Sequence, residues 1–438
     1  MSDNKYNDKI GELQTILEDY VHEANVDCGF SQRDTRLNAV RFVEVLVLGR
    51  LRERTASLNK LAMLAQDLDI RITGAALHER MQARAVALLQ AVLARSLHAL
   101  ADGSRLDVAV LAQFSAVHIT DSTQIALPQP LYEEFTGGNG DAKMKLQVTL
   151  NYLTGEWVGL EITAGKTSDQ KSELPLAHAI PGSLNIQDLG YFKQERLRDM
   201  AQQGAFFVSR YQSQTALYDA PTGQRLDLVN YLRAVDGSTC DEQVRLGERV
   251  KLPVRLVVRR LPQSVADARR RKAKKKAKEQ GKTCSATYLY LLGWDILVTN
   301  LDPVQWPTDQ IFNLYAIRMQ IEWVFRIWKS QLKVDHFGKK WRRARVLCQL
   351  YAHLIGVLLC HRLTQGWLWF DGSEHSLAKC VAIIQHRIGD LMRCVKRHWY
   401  GSLAWLHRLE DSFKQFGRKT KRKKEPSTLQ ILRQGGLS

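Results

Sequence analysis

Ser115-Ala-Val-His-Ile-Thr-Asp121 is the stretch from which the fold can be read. Apolar and polar residues alternate along it with the period of a half-buried strand. Val117, Ile119 and Asp121 therefore share one side, and His118 points to the other. Farther on, Ser183-Leu-Asn-Ile-Gln-Asp188 repeats the device with Leu184, Ile186 and Asp188 on one face. Between and after them, residues 145–153 and 156–163 read as strands around the turn Thr154-Gly155, 170–179 and 193–203 as helices, and 205–209 as a fifth strand. The order β-β-β-α-β-α-β predicts an α/β unit over residues 106–210.

On either side of that unit the pattern changes. Residues 1–105 contain no proline, and Leu, Ala and Val recur at three- and four-residue spacing over 39–51 and 75–100. This predicts an all-helical region in which Thr73 caps the helix over 75–100. Residues 211–300 read as β-rich, with strands over 250–259, 287–292 and 296–299. They surround Arg269-Arg-Arg-Lys-Ala-Lys-Lys-Lys-Ala-Lys278, which no core can bury and which reads as a basic loop or helix. Helices return over 301–360 and 361–438, the last region ending in a second basic run from Arg418.

With 438 residues, 45% of them hydrophobic, the chain can build the cores of two to four domains at ~100–200 residues each, which excludes disorder and collagen-like repeats. Its 63 Lys and Arg against 45 Asp and Glu leave a formal charge of +18, the mark of a polyanionic partner. That excess sits in 269–282 (+8), 339–345 (+5) and 418–425 (+5), so the rest of the chain is formally neutral. The first of these runs reads either as a DNA-backbone contact or as a solvated surface helix. The longest apolar run, 352–360, is interrupted by His353 and stopped by Arg362, so neither a spanning helix nor a membrane partner is expected. The seven cysteines are scattered and read as reduced cytosolic thiols. Gly137-Gly138-Asn139-Gly140 lacks the lysine of a phosphate loop, so no nucleotide cofactor is expected.

The chemistry concentrates in acidic residues. Asp121 and Asp188 each follow an apolar strand, where a carboxylate can face a shared site on a rigid backbone and bind a hard cation such as Mg²⁺. Taken singly, each could merely begin a turn. A third element is more specific. Tyr315, Arg318, Glu322 and Lys329 fall within about 60° of arc on one helix at ~100° per residue, beside a buried stripe of Leu314, Ile321, Val324, Phe325, Trp328 and Leu332. A carboxylate there can reach a metal while the cations reach phosphates. The plainer reading is an amphipathic helix with an Arg318–Glu322 ion pair. Asp169, in a polar loop, reads as a turn or cap.

The run Tyr315-Ala-Ile-Arg318-Met-Gln-Ile-Glu322-Trp-Val-Phe-Arg-Ile-Trp-Lys329 resembles the Y-x2-R-x3-E-x6-K signature of the DDE transposases of the insertion-sequence-four family. His118-Ile-Thr-Asp-Ser-Thr and Asp188-Leu-Gly190-Tyr191-Phe192 resemble the settings of that family's two aspartates. The resemblance covers roughly 37–360. It implies an RNase H-like catalytic core (106–210 and 301–360) interrupted by the β-rich insertion 211–300, with a helical DNA-binding region 1–105 and a helical C-terminal region 361–438. Asp121, Asp188 and Glu322 would hold two Mg²⁺ ions, with Mn²⁺ able to substitute. Tyr315, Arg318 and Lys329 would contact transposon-end DNA, and Arg210 a backbone phosphate. Trp294 would either stack an extruded base or fill a core. Lys339, Lys340, Arg342, Arg343 and Arg345 are the basic patch expected to bind double-stranded DNA. The implied activity is cut-and-paste transposition by a homodimer or higher assembly at terminal inverted repeats and target DNA. Two other readings stay open: an inactive transposase-derived DNA-binding protein, and an RNase H-like nuclease without strand transfer.

Overall fold

A computed structural model describes residues 3–31, 37–97, 106, 108–337, 342–365, 375–420 and 430–432. Nine strands form one sheet: β1 (Val117–Ala126), β2 (Lys143–Asn151), β3 (Glu156–Ala164), β4 (Leu184–Gln187), β5 (Phe206–Arg210), β6 (Leu217–Asp219), β7 (Thr239–Leu246), β8 (Leu252–Arg260) and β9 (Trp294–Thr299). Their spatial order is β3-β2-β1-β4-β5-β9-β8-β7-β6. Only β1–β4 and β4–β5 are parallel. The strands of 211–300 thus prolong the same sheet, with β9 inserted between β5 and β8.

Register decides what this sheet presents. Thr120 lies opposite Gln187, and Gln187 opposite Ser209, so the next residue on each strand, Asp121, Asp188 and Arg210, stands in one row. Side-chain alternation puts that row on the face of Ile119, Ile186 and Val208, all buried in the main core. Asp121 is not at a strand end, as its sequence setting suggested, because β1 runs five residues past it, paired with β2.

Helices cover the sheet. Before it come α1 (Asp3–Gln14), α2 (Tyr20–Cys28), α3 (Ala39–Arg52), α4 (Leu58–Leu64), α5 (Gly74–Arg80) and α6 (Ala83–Leu97). Thr73 caps α5, its hydroxyl accepting from the Ala76 N–H. The single helix expected over 75–100 is nevertheless two, since Met81 leaves helical geometry with ψ 72°. Likewise 170–179 is a 3₁₀ turn, Asp169–Lys171, followed by the single-turn α7 (Leu174–Ala177), with Pro175 beginning the latter rather than continuing a longer helix. Next come α8 (Gln194–Gln202), α9 (Leu228–Ala234), α10 (Gln263–Glu279) and α11 (Ala286–Leu291). The segment 287–292, read as a strand, lies largely in α11: the Ser285 hydroxyl accepts from the Tyr288 N–H, and this cap overrides the alternation of Tyr and Leu. The basic run lies within α10, where its lysines are exposed and Arg269 and Arg270 are half-buried.

The chain then forms α12 (Thr308–Ala316), α13 (Met319–Ser330), α14 (Arg343–Gln365), α15 (Leu377–Lys396) and α16 (Ser402–Phe416). Residues of α1–α6, the sheet and α12–α16 share one core, and a second core lies on the other face of the sheet under α8, α9 and α11. Among the described residues only α14 is long and apolar enough to cross a membrane, and its apolar window is wholly buried inside the protein.

Candidate active site

Tyr315 to Lys329 is not one uninterrupted helix. Between α12 and α13, the amides of Ile317 and Arg318 donate to carbonyls three residues back, Leu314 and Tyr315. This tightened turn advances the chain by about 120° rather than 100° per residue. It brings Arg318 over the row on the sheet.

The guanidinium of Arg318 there meets three carboxylates from three separate elements. Nη1 donates to Asp121 Oδ2 at 3.0 Å, Nη2 lies 2.7 Å from Glu322 Oε1, and Nε lies 4.0 Å from Asp188 Oδ1. Burial raises the Asp121 carboxyl to about 7; the Ser122 N–H and Arg318 oppose the rise, whereas Asp188 and Glu322 add to it. For Arg318 burial opposes the charge, but Tyr315 and the three carboxylates outweigh it and keep the group above its ordinary value. Among the described residues, no three Asp, Glu, His or Cys side chains are gathered closely enough to hold a metal. The carboxylates are spaced instead around the cationic guanidinium of Arg318.

Tyr315 packs beside this centre, with the Arg318 guanidinium 5.9 Å from its ring centroid. Burial lifts its hydroxyl to about 12; the charges of Arg318 and Arg210 oppose the rise, and that of Asp188 adds to it. Lys329 is half-buried two turns beyond Glu322. Burial lowers it, and the charge that favours its ammonium is Asp335 rather than the triad.

The model of the family described as "Transposase DDE domain" matches residues 113–359, which contain all three carboxylates and Arg318. The chain belongs to the DDE transposases. The resemblance drawn from the Tyr315–Lys329 run is therefore borne out. The chain is 26% identical to the transposase for insertion sequence element IS231B of Bacillus thuringiensis subsp. berliner, over 96% of this chain and 95% of that one. It is 28% identical to the IS231F transposase of B. thuringiensis subsp. israelensis over 74% and 72%. It is 25% identical to the IS1151 transposase of Clostridium perfringens over 73% of each chain.

Other expected site residues of this transposase are placed less simply. Arg210 ends β5 in the carboxylate row and pairs with Asp295 at 3.4 Å. Trp294 is not available as a stacking surface beside the carboxylates. It begins β9 in phase with Ile296 and Val298, so it turns to the opposite face of the sheet and is buried in the second core, with Arg260 over its ring. Within 339–345, Arg343 is taken up by Glu134 through two hydrogen bonds of 2.7 and 3.0 Å, and Arg345 is partly buried near Arg50. Arg342 is exposed, while Lys339 and Lys340 lie outside the described residues.

Asp169 belongs to the site's surroundings, not to a cap. The cap of its turn is Ser168, whose hydroxyl accepts from the Gln170 N–H. Asp169 Oδ1 accepts from the Ser122 hydroxyl at 3.1 Å and from Lys145 Nζ at 2.8 Å. Its other oxygen lies where a Cβ at Gly190 would fall, 2.7 Å away. Asp169 thus touches the residue after Asp121 and the loop after Asp188 together. Lys145, within the apolar strand Met144-Lys-Leu-Gln-Val-Thr-Leu150, was the signal that could have found it, because a buried ammonium requires a carboxylate.

Proposed function

We propose that this transposase binds the terminal inverted repeats of its element, cleaves the ends and joins the 3′ ends to target DNA. On this reading it is a cut-and-paste enzyme hydrolysing and transesterifying phosphodiesters. The observation that carries the reading is the meeting of Asp121, Asp188 and Glu322 around a cationic group. An all-oxygen donor set from two adjacent strands and one helix suits a hard divalent cation. Two Mg²⁺ ions held by these carboxylates, or Mn²⁺ in their place, would supply Lewis-acid stabilisation of the developing charge and lower the pKa of the attacking hydroxyl or water.

The chain's own residues hold and orient the DNA. Arg318 moves from the carboxylates to a terminal phosphate, for which its planar fork of donors is suited. Tyr315 walls the same pocket, and Lys329 lies farther along the helix toward the flanking strand. The sheet order β3-β2-β1-β4-β5, antiparallel in its first three strands and parallel in the last two, supports an RNase H-like core. The passage of 211–300 out from β5 and back along β9 supports the insertion. The N-terminal helices would recognise the ends, and a homodimer or larger assembly would hold two ends together.

Purified protein with a duplex carrying its element's end and Mg²⁺ should nick that end, and Asp188→Asn should bind the duplex without cutting it. An inactive wild type, or a variant that still cuts, overturns the proposal.

A further inference from the structure

Three guanidinium groups share one carboxylate beside the active site. Asp295, on β9, lies 2.9 Å from Arg269 of α10, 3.3 Å from Arg259 of β8 and 3.4 Å from Arg210 of β5. One carboxylate cannot neutralise three guanidinium groups, so a surplus of positive charge is fixed here. The arginine side chains stay 31–43% exposed, against 17% for Asp295, so the surplus faces outward.

Sheet register places this cluster relative to the catalytic row. Arg210 is opposite Leu297, and Leu297 opposite Val257; two pairs farther along β8 and β9, Asp295 is opposite Arg259. Leu297 and Val257 belong to the main core, so Asp295 and Arg259, two residues along their strands, are on the same face as Asp121 and Asp188. The arginines are held in place. Arg259 lies 4.1 Å over the Phe312 ring of α12, and Arg269 also donates to the Trp294 carbonyl at 3.5 Å. Side chains already ordered in this way lose little further freedom when an anion arrives.

We propose that Arg259, Arg269 and Arg210, tethered by Asp295, form a binding site for a backbone phosphate of the DNA strand that passes through the active site. The proposal rests on the transposase reading. From Asp188 to Asp295 is two strand spacings across the sheet and two residues along it, about 12 Å in all. With one phosphate per ~3.4 Å of helix axis on each strand, a strand with its scissile phosphate at Asp188 lays another over the cluster within a few nucleotides.

The test uses full-length protein and an end duplex, with binding measured at several salt concentrations without divalent metal. Arg259→Gln with Arg269→Gln should weaken binding at least tenfold at 0.15 M salt and reduce the slope of log K against log salt by about 2. Arg259→Lys with Arg269→Lys should keep the slope, and Asp295→Asn, which frees the guanidinium groups, should bind at least as tightly as wild type. An unchanged slope in the Gln pair overturns the proposal. So does an Asp295→Asn protein as weak as the Gln pair, because the cluster would then only brace α10 against the sheet. Inorganic phosphate that raises the thermal midpoint of wild type but not of the Gln pair, with the DNA slope unchanged, would assign the site to free phosphate and also overturn it. Wild-type cleavage with Mg²⁺ is measured in parallel. A wild type that cuts while the slope is unchanged refutes the phosphate site alone, whereas a wild type that does not cut refutes the transposase reading.

Discussion

Arg318 and Asp169 have opposite parts in holding the same carboxylates. Arg318 competes with any cation for Asp121, Asp188 and Glu322. Arg318→Ala should therefore bind Mn²⁺ more tightly than wild type when DNA is absent, by roughly tenfold if one charge-assisted pair is released. It should nonetheless cleave poorly, because no guanidinium then meets the terminal phosphate. Calorimetric titration with Mn²⁺ checks the first part, and equal affinities would mean that the guanidinium does not obstruct the triad. Asp169 braces the site from behind. Asp169→Asn leaves the largely buried Lys145 without its countercharge and should destabilise the protein by about 2 kcal/mol while slowing cleavage with end binding retained. Adding Lys145→Met should recover most of the stability, since a buried pair often does no better than apolar groups of like volume, but not the cleavage rate. Chemical denaturation and a nicking assay separate these outcomes; a double variant that regains full cleavage would show that Asp169 serves only Lys145.

Strands were more legible in the sequence than helix ends, for a physical reason. Alternation fixes which side chains share a face, so Val117-x-Ile119-x-Asp121 and Leu184-x-Ile186-x-Asp188 each put an aspartate on an apolar face whatever the strand pairing. Local alternation does not give the face of Trp294. Its face depends on where β9 begins and on its pairing with both β5 and β8, partners separated from it by tens of residues. Lys145 and Asp169 meet through a loop whose path no local pattern specifies. Helix α3 adds a case in which sequence shows an amphipathic surface and the fold buries a charge within it. Glu44 is 1% exposed, with Arg41 2.9 Å away, and burial raises its carboxyl from 4.5 to about 7. Between those pH values the folded chain holds a proton that the unfolded chain has lost, so stability falls as pH rises through the window, by up to about 3 kcal/mol. Glu44→Gln lacks this loss and should gain on wild type between pH 4.5 and 7. Denaturation midpoints at pH 5 and 8 test it, and a difference that does not change with pH would mean that Glu44 stays ionised through its pair with Arg41.

At the scale of the molecule, the +18 charge is neither spread evenly nor equally available to DNA. Of the three basic runs, α10 projects a largely exposed lysine-rich surface just past the end of β8, close in sequence to Arg259 and beside Asp295 at the start of β9. In 339–345 the fold divides equal formal charges into unequal ones: Arg343 is neutralised by Glu134, Arg345 turns toward the interior, and Arg342 faces solvent. Counterion release counts charges that a phosphate can reach, each worth about 0.9 in the slope of log K against log salt on duplex DNA. Arg342→Ala should therefore lower the slope by nearly that amount. Arg343→Ala, which also frees the Glu134 carboxylate, should change it little unless DNA displaces Glu134. Glu134→Gln discriminates between these cases. If the pair is static, releasing Arg343 should steepen the slope and tighten binding; if DNA already displaces Glu134, the slope should stay put and only the affinity should rise. Equal slopes for Arg342→Ala and Arg343→Ala, with no response to Glu134→Gln, would mean that neither arginine meets DNA and that the reachable charge lies in α10 and the cluster around Asp295.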